Sequence, residues 1–395
     1  MIIIHHPDIT RCDGRSRLSS VLEIDGECKT LWFEVSSEYE KYLCYERSDA
    51  FLVGTLPWAM RNNHDITCVA PVTEELLYNL NHHLLPILSK TDKKCYPTRI
   101  IAPITSTVLE NHGGVGTGMS CGVDSFHAVL SHYKTENESP SLTHLCINNT
   151  GSFEAGGNYI GYGVDKSRQE VYDRARKVAE LLGLPLIESD SNIYDVFKIF
   201  VNAHTYTSIF AALCLQKLWK TYFFGSGFEY SDFSLENHLN KDTAWYDLLL
   251  LNCFSTRSLR FYSDGACKNR IEKTVFISDF PIVQKYLHVC HWKGYNCGVC
   301  RKCRRTMMQL DIYGKLDDFA ESFPITYYRE NFNSYLLWLA MSYIKNEAVC
   351  RSIWQAYLQG EHAEEFKRIT KKRLSLINRT RAKKKKAPIA LPACD

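Results

Sequence analysis

From about residue 106 onward, short apolar segments alternate with longer amphipathic ones, and this alternation constrains the fold of the 395-residue chain more than any other feature. Leu142–Asn148 and Thr221–Phe224 have the length of strands, whereas Lys166–Leu182 and Tyr206–Trp219 have the length and spacing of helices. Helices of this length between short apolar strands predict an α/β fold with a parallel sheet covered by helices on both faces.

Residues 1–105 are predicted to form an N-terminal α+β domain without a chemical signature. Leu18–Ile24 and Thr30–Val35 resemble strands around the turn Asp25-Gly26, and the apolar run Ala50–Leu56 is short enough to favour a strand that Pro57 ends. A helix is predicted from the N-cap Thr73 as far as Pro86.

Residues 311–395 are predicted to form a helical C-terminal region that ends in the strongly basic stretch KRITKKRLSLINRTRAKKKK. A run of this kind is usually a solvated, mobile tail, and contact with phosphate or nucleic acid is the alternative. The remaining middle segment, residues 106–310, is the predicted α/β domain. The sequence therefore predicts three domains.

Composition excludes a disordered chain and gives little support to a polyanion-binding or membrane protein as a whole. Hydrophobic residues make up 45% of the chain and the formal net charge is +3. The apolar run at the start of MIIIHHPDITRCDGR is too short for a signal peptide. No other run approaches the roughly 18 apolar residues of a membrane span. We expect a cytoplasmic protein whose scattered cysteines are reduced.

The stretch GTGMSCGVDSFHAVL, residues 116–130, has the residue types of a phosphate-binding loop. Its glycines are predicted to turn backbone N–H groups inward at dihedral angles that other residues avoid, and a helix is predicted to begin near Asp124. These glycines are Gly114, Gly116, Gly118 and Gly122. The lysine of a Walker loop, G-x-x-x-x-G-K-[ST], is absent after Gly118.

Ser120–Ser125, SCGVDS, resembles the S-G-G-x-D-S signature of the PP-loop ATP pyrophosphatases, which include the 7-cyano-7-deazaguanine synthases. The resemblance implies that the loop holds the pyrophosphate part of ATP, where backbone N–H groups and Mg²⁺ would stabilise the leaving diphosphate. Cys121 stands where the family has glycine. It is interpreted as an inert small residue, with a sulfur carrier as the alternative.

A second motif lies near residue 300, where four cysteines are separated by six, two and two residues: Cys290, Cys297, Cys300 and Cys303. This spacing predicts a tetrahedral Cys₄ zinc site, and an iron–sulfur cluster is the alternative. A zinc site of this kind after a PP-loop is similar to the 7-cyano-7-deazaguanine synthases, whose first gap is one or two residues longer. The resemblance covers about residues 114–310.

The resemblance implies roles for further residues. Catalytic roles fall to Asp124, Ser125 and Lys273, and substrate contacts to Glu229 and Asp232, in GSGFEYSD at a strand end. The implied ATP contacts are Ser120, Cys121, Gly122, Val123, Asp124, Ser125, Ile147, Asn148 and Gly225. The other interpretation makes Glu229 and Asp232 ordinary loop carboxylates and places Lys273 at the start of a surface helix.

The implied function is that of an ATP-dependent ligase with Mg²⁺ and Zn²⁺. A carboxylate, with a 7-deazaguanine acid as the favoured substrate, would be adenylated and then captured by an amine. Related proteins in anti-phage defence clusters imply a protein partner recognised through the N- or C-terminal region. The alternatives are tRNA thiolation or another base modification, and a non-catalytic nucleotide-binding module. Contact with nucleic acid, with the ATP phosphates or with solvent stays open for four cations near the cysteines: Arg301, Lys302, Arg304 and Arg305.

Overall fold

The computed structural model describes residues 1–135, 140–153, 168–199, 201–290 and 292–392. The chain divides into two compact units. The first comprises residues 1–120 and the described parts of residues 128–267, and the second comprises residues 121–127 and 268–392. The three domains expected from the sequence remain a prediction.

All strands belong to the first unit. They are β1 Ile2–Ile4, β2 Asp8–Cys12, β3 Arg15–Ile24, β4 Glu27–Ser36, β5 Ile66–Cys68, β6 Val72–Thr73, β7 Ile100–Ile101, β8 Ile104–Thr105, β9 Gly114–Gly118, β10 His144–Asn149, β11 Leu186–Ser191, β12 Trp219–Gly225 and β13 Arg260–Asp264. These thirteen strands are those of the described residues.

The helices follow in chain order. They are α1 Asp49–Asn62, α2 Glu74–Asn79, α3 Leu85–Thr91, α4 Val123–His132, α5 Arg168–Leu182, α6 Ile193–Phe197, α7 His204–Cys214, α8 Asp247–Phe254, α9 Arg270–Ser278, α10 Pro281–Tyr286, α11 Arg301–Ile312, α12 Ile325–Glu330, α13 Phe332–Ile344, α14 Arg351–Gln359 and α15 Ala363–Lys383. A π-helical turn, Leu80–Leu84, joins α2 to α3.

Eleven of the described strands of the first unit form one sheet in the order β13-β12-β9-β10-β11-β4-β3-β1-β5-β7, with β2 paired to β3, and β6 and β8 form a separate two-stranded sheet. The five strands from β13 to β11 are parallel. Strand β4 continues the sheet by pairing antiparallel with β11, where Ser191 lies opposite Phe33. The predicted α/β class, with a large, mostly parallel sheet flanked by helices, is confirmed. Membership of the PP-loop fold remains a proposal.

The order of the parallel strands reverses beside β9. The chain places β10 and β11 on one side of β9 and then returns to place β12 and β13 on the other. The carboxyl ends of parallel strands meet at one edge, and a reversal of this kind opens a crevice there, where α/β proteins bind ligands. Ser120, two residues beyond β9, and Gly225, the last residue of β12, lie at this edge.

The hairpin near the N-terminus agrees with its prediction. Strands β3 and β4 pair antiparallel, with Ile24 opposite Glu27. Asp25 and Gly26 both have positive φ, 50° and 89°. Two left-handed residues in succession form the type of tight turn that matches the twist of the two strands.

The prediction of a strand at Ala50–Leu56 is wrong, because these residues belong to helix α1. The helix is buried on nearly every side, so its sequence lacks the polar positions that mark an amphipathic helix. It packs closely against α7: a Cβ at Gly54 would lie 3.0 Å from Cδ2 of Phe210. Pro57 lies inside the helix and does not end it.

Pro86 likewise does not end the helix predicted from Thr73. It lies in the first turn of α3, directly after the π-helical turn. At that position a proline leaves fewer hydrogen bonds unmade than it would in the middle of a helix.

In the second unit, the basic C-terminal stretch is helical as far as Lys383, within helix α15, so the prediction of a mobile tail is wrong for residues 367–383. Phe366 is fully buried and its ring lies 6.1 Å from that of Tyr343 on α13 and 6.1 Å from that of Tyr357 on α14. This apolar contact holds the helix against its neighbours. Among the described residues, no helix has the length and apolar character needed to cross a membrane.

Candidate functional site

Of the three glycines before the candidate loop, Gly114 and Gly116 serve packing, and none of the three has the predicted dihedral angles. Gly114, Gly116 and Gly118 belong to strand β9, and their φ angles are not positive. A Cβ at Gly116 would lie 2.7 Å from Cζ3 of Trp219, which is too close for any side chain. Glycine at position 116 therefore makes room for a buried indole and does not cradle an anion.

The turn from β9 into α4 depends on Cys121. Its φ is 58°, in the left-handed region that glycine adopts without strain, and its side chain is buried with 1% exposed. The resemblance places glycine at this position, and the backbone conformation suits that residue. Helix α4 begins at Val123, one residue before the predicted start, and Ser125 Oγ donates to the carbonyl of Gly122 at 3.0 Å.

Asp124, in the first turn of α4, is paired with two cations from helix α9. Its Oδ2 lies 2.9 Å from Nη1 of Arg270, and its Oδ1 lies 3.6 Å from Nζ of Lys273. Lys273 is buried with 2% of its side chain exposed, and three quarters of the Asp124 side chain is buried. The asparagine cap Asn269 and Glu272 fix the start of α9 through a capping box, so both cations have a rigid base.

Arg305 on α11 adds a third positive charge to this cluster. Burial works against ionisation of Asp124, but Arg270, Lys273 and Arg305 together outweigh it, so the pKa of Asp124 is below its usual value. Burial and the repulsion from Arg270 lower the pKa of Arg305 to about 10. These four side chains, which belong to the second unit, are called the cation cluster below.

Three buried donors on α11 have no acceptor among the described residues: Nε of Arg304, Nε of Arg305 and Nε2 of Gln309. The last two lie one helical turn apart. Gln309 is held in place because its Oε1 accepts from Thr274 Oγ1 at 3.2 Å. Buried donors are nearly always paired in folded proteins, so these two nitrogens are suited to an acceptor from outside the chain.

The four predicted metal ligands come together in the second unit. The sulfur atoms of Cys290, Cys297, Cys300 and Cys303 all lie within 4.8 Å of one another. The sulfurs of Cys290 and Cys300 are 3.9 Å apart. Sulfurs bound to one zinc ion at about 2.3 Å in a tetrahedron are separated by roughly 3.8 Å. The group could therefore bind a metal such as zinc.

The surroundings of Cys290 and Cys297 favour thiolates, the form that binds metals, because hydrogen bonds lower the pKa of both thiols, whereas the neighbouring sulfurs raise the pKa of Cys303. Backbone N–H groups point at the sulfurs, among them Cys300 N at 3.3 Å from Cys297 Sγ and Cys303 N at 3.4 Å from Cys300 Sγ. The hydrogen bond with the side chain of Cys303 lowers the pKa of the Cys297 thiol to about 6. Gly298, with φ 73°, forms the tight turn between the ligands. The chemistry of the donor set fits a Cys₄ metal site.

The cysteine group is connected to the candidate loop within the second unit. The backbone N–H of His288 donates to the carbonyl of Cys121 at 2.8 Å. The ring nitrogen Nε2 of the same histidine lies 3.0 Å from the carbonyl oxygen of Lys293, between the first two metal ligands. Arg305 follows the last ligand, Cys303, by two residues on α11. The metal group therefore adjoins the loop at one end and the cation cluster at the other.

The remaining predicted site residues belong to the first unit. Ile147 is buried in β10, and Oδ1 of the adjacent Asn148 accepts from Ser189 Oγ at 2.7 Å. Glu229 accepts from Ser231 Oγ at 2.6 Å in the loop that follows Gly225. Among the described residues, neither Glu229 nor Asp232 belongs to a group of three or more close metal-binding side chains.

Arg270, His288 and Gln309 were not predicted as site residues, and for Arg305 contact with nucleic acid, with the ATP phosphates or with solvent was left open. The spacing of Arg270 and Lys273, three residues apart on one helix, could have indicated that both face the same side. Nothing in the sequence indicates that α11 approaches Asp124. No family model, curated protein sequence or solved structure matches this chain, so the contacts described above carry the functional argument.

Proposed function

We propose that this protein is an ATP-dependent ligase that activates a carboxylate by adenylation and passes the acyl group to an amine. The observation that carries the proposal is the cation cluster, in which Arg270, Lys273 and Arg305 surround the single carboxylate of Asp124 next to the loop SCGVDS. The resemblance of that loop to PP-loop pyrophosphatases supplies the reaction type.

The charge balance of the cluster favours a multiply charged anion. Three cations and one carboxylate leave an excess of about two positive charges in a largely buried place, where unpaired charge is costly. A diphosphate would neutralise this excess and accept hydrogen bonds from Arg305 Nε and Gln309 Nε2. Lys273 and Arg270 from α9 would then supply the charge that a Walker loop carries on its own lysine.

The proposed chemistry has two steps. A carboxylate oxygen of the substrate attacks the α-phosphorus of ATP, the bond to the bridging oxygen breaks, and diphosphate leaves with the electron pair. The amine then attacks the carbonyl carbon of the acyl-adenylate, AMP leaves, and the amine gives up a proton to form an amide. The cation cluster would stabilise the departing diphosphate, whose negative charge increases as the bond breaks.

A magnesium ion would lower the charge of the triphosphate and assist the departure of diphosphate. Oδ1 of Asp124 is buried and has no hydrogen-bond partner among the described residues. A carboxylate oxygen is the kind of ligand that Mg²⁺ prefers, so Asp124 fits this role. The Cys₄ group, with four protein ligands and no open position, would have a structural role.

The favoured acid is a 7-deazaguanine carboxylic acid, and the acceptor is either ammonia or an amine on a protein partner. Both assignments rest on the resemblance of the loop and the cysteine spacing to 7-cyano-7-deazaguanine synthases. Mass spectrometry distinguishes the acceptors, because ammonia gives a small amide or nitrile whereas conjugation adds the acyl mass to a protein.

The test of adenylation is carboxylate-dependent exchange of labelled diphosphate into ATP, measured without any amine. We expect exchange with 7-carboxy-7-deazaguanine and a loss of at least tenfold in the Lys273→Gln variant. Lys285→Gln is the matched control, because Lys285 carries the same charge in the second unit but lies on the surface, paired with Glu321 at 3.5 Å.

Direct binding of diphosphate provides a second measurement. At about 100 times its dissociation constant, diphosphate should stabilise the folded protein by about 2.7 kcal/mol, and Arg305→Gln should reduce this effect. Release of ADP and phosphate in place of AMP and diphosphate would contradict the proposal. So would the absence of exchange with every acid tested in a protein that binds ATP.

A further inference from the structure

Positive charge is concentrated in one part of the chain. Residues 367–386 contain 11 lysines and arginines and no acidic residue, whereas the other 375 residues contain 36 basic and 44 acidic residues. The near-neutral net charge therefore hides a strongly basic segment on an otherwise acidic protein. Most of this segment is helix α15.

Five of the eight cations of α15 lie on one side of the helix. At 3.6 residues per turn, Arg368, Lys371, Lys372, Arg379 and Lys383 fall within a sector of about 120°. All five are exposed. The buried residues Phe366 and Thr370 lie on the opposite side. These five cations are called the basic face. It extends for about 22 Å along the helix.

The positive charge of the basic face is largely uncompensated. Arg368 lies 3.5 Å from Glu365, but Lys371, Lys372, Arg379 and Lys383 form no ion pair with any described residue. Three further lysines, residues 384–386, continue the charge beyond the end of the helix and are exposed. Such a line of unpaired cations fits a partner with regularly spaced negative charges.

The composition of the face favours phosphodiester over the other anionic partners. No aromatic residue occurs between residues 367 and 392, so the face lacks the anchors that dominate protein interfaces. An amphipathic helix binds a lipid surface with its apolar side, but here that side is buried through Phe366. The absence of aromatic side chains for stacking also points to backbone contacts without sequence preference.

We propose that the basic face of α15 binds the phosphate backbone of a nucleic acid. Duplex DNA carries about one negative charge per 1.7 Å with both strands counted, so a length of about 22 Å carries roughly a dozen phosphates, more than enough for five cations. Neutralising about five phosphates gives a slope of about −4.5 in a plot of log binding constant against log salt concentration. This inference does not depend on the proposed ligase activity.

The experiment uses the full chain and a labelled 20-base-pair duplex of arbitrary sequence, with fluorescence anisotropy between 50 and 200 mM KCl. The test variant replaces Lys371, Lys372, Arg379 and Lys383 by glutamine. The control replaces Lys29, Lys90, Lys93 and Lys94 by glutamine, which removes the same charge from exposed positions of the first unit. Circular dichroism before and after substitution checks that α15 remains helical.

We expect the test variant to lose at least tenfold in affinity at 150 mM KCl and its salt slope to fall by about three to four, while the control stays near the native protein. Parallel assays with RNA of the same sequence identify the natural source of the phosphate backbone, and binding to either supports the proposal. An unchanged test variant overturns it. Tighter binding to polyglutamate or to vesicles containing phosphatidylserine also overturns it.

Discussion

The backbone N–H of His288 donates a 2.8 Å hydrogen bond to the carbonyl of Cys121. His288 lies two residues before the first cysteine ligand, and Cys121 occupies the left-handed turn that leads into α4. The bond therefore joins the segment that enters the metal group to the strained residue of the candidate loop. A metal that orders the segment around His288 should therefore also order the turn at Cys121.

Substitution of Cys121 tests whether the left-handed backbone conformation at this position favours glycine. A non-glycine residue in the left-handed region costs about 1–2 kcal/mol, which Cys121→Gly removes, although glycine gains entropy in the unfolded chain. We expect Cys121→Gly to change the free energy of unfolding by less than about 1 kcal/mol. Cys121→Val should destabilise by about 2 kcal/mol, because branched side chains tolerate this region poorly. Urea denaturation measures both.

The same variants separate the two enzyme classes expected from the sequence. A carboxylate-activating enzyme should keep its diphosphate exchange activity in Cys121→Gly, since the thiol takes no part in the reaction. A sulfur-transfer enzyme that uses this thiol should lose its activity. The 1% exposure of Cys121 opposes the second role.

Loss of one metal ligand should weaken diphosphate binding as well as metal binding. We expect one zinc ion per chain by elemental mass spectrometry and little metal in Cys297→Ser, with a melting temperature several degrees lower. The stabilisation by diphosphate should fall too, because His288 and Arg305 flank the metal group. Cys28→Ser, at an exposed cysteine, is the control. Undiminished diphosphate binding in the metal-free variant would contradict this connection.

Asp124→Asn should lower stability at neutral pH and have less effect in acid. The pKa of Asp124 is below its ordinary value of 3.8 in the folded protein, so the carboxylate stabilises the fold above that pH and the stabilisation is lost as pH falls below it. We expect a loss of about 2 kcal/mol at pH 7, since the substitution leaves three cations without their carboxylate. Denaturation of both proteins from pH 3 to pH 7 measures the difference.

Added diphosphate provides a control for this interpretation, because it supplies negative charge to the same cations. It should stabilise Asp124→Asn at least as much as the native protein. A deficit that stays constant from pH 7 to pH 3 would show that Asp124 acts through packing and not through charge.

Gly116→Ala should destabilise the sheet by about 1–3 kcal/mol, because its new Cβ would overlap Cζ3 of Trp219. The double variant with Trp219→Phe should recover part of this loss, since phenylalanine lacks the overlapping ring. Gly118→Ala is the control: its Cβ would lie 4.0 Å from the nearest atom, the hydroxyl of Tyr222. Thermal denaturation of the native protein, the single variants Gly116→Ala and Trp219→Phe, and the double variant gives the coupling energy. Equal effects at positions 116 and 118 would refute the packing role.

The local features of this protein could be predicted from its sequence. Short apolar segments between amphipathic helices indicated the parallel strands, and Asp25-Gly26 indicated the hairpin turn, because these signals arise from residues close together in the chain. The spacing of Cys290, Cys297, Cys300 and Cys303 indicated a common metal for the same reason. Helix α1 was missed because a helix buried on all sides lacks the period that distinguishes a helix from a strand.

Only the tertiary structure revealed the contacts between distant segments. Arg270 and Arg305 are 146 and 181 residues beyond Asp124, and no local pattern indicates that α9 and α11 bring their cations to its carboxylate. The pairing of β4 with β11 and the burial of Trp219 against Gly116 are likewise contacts across the chain. The sequence by itself determined most of the elements and the grouping of the four cysteines, whereas packing decided which charges meet, because the energy of an ion pair depends on distance in space.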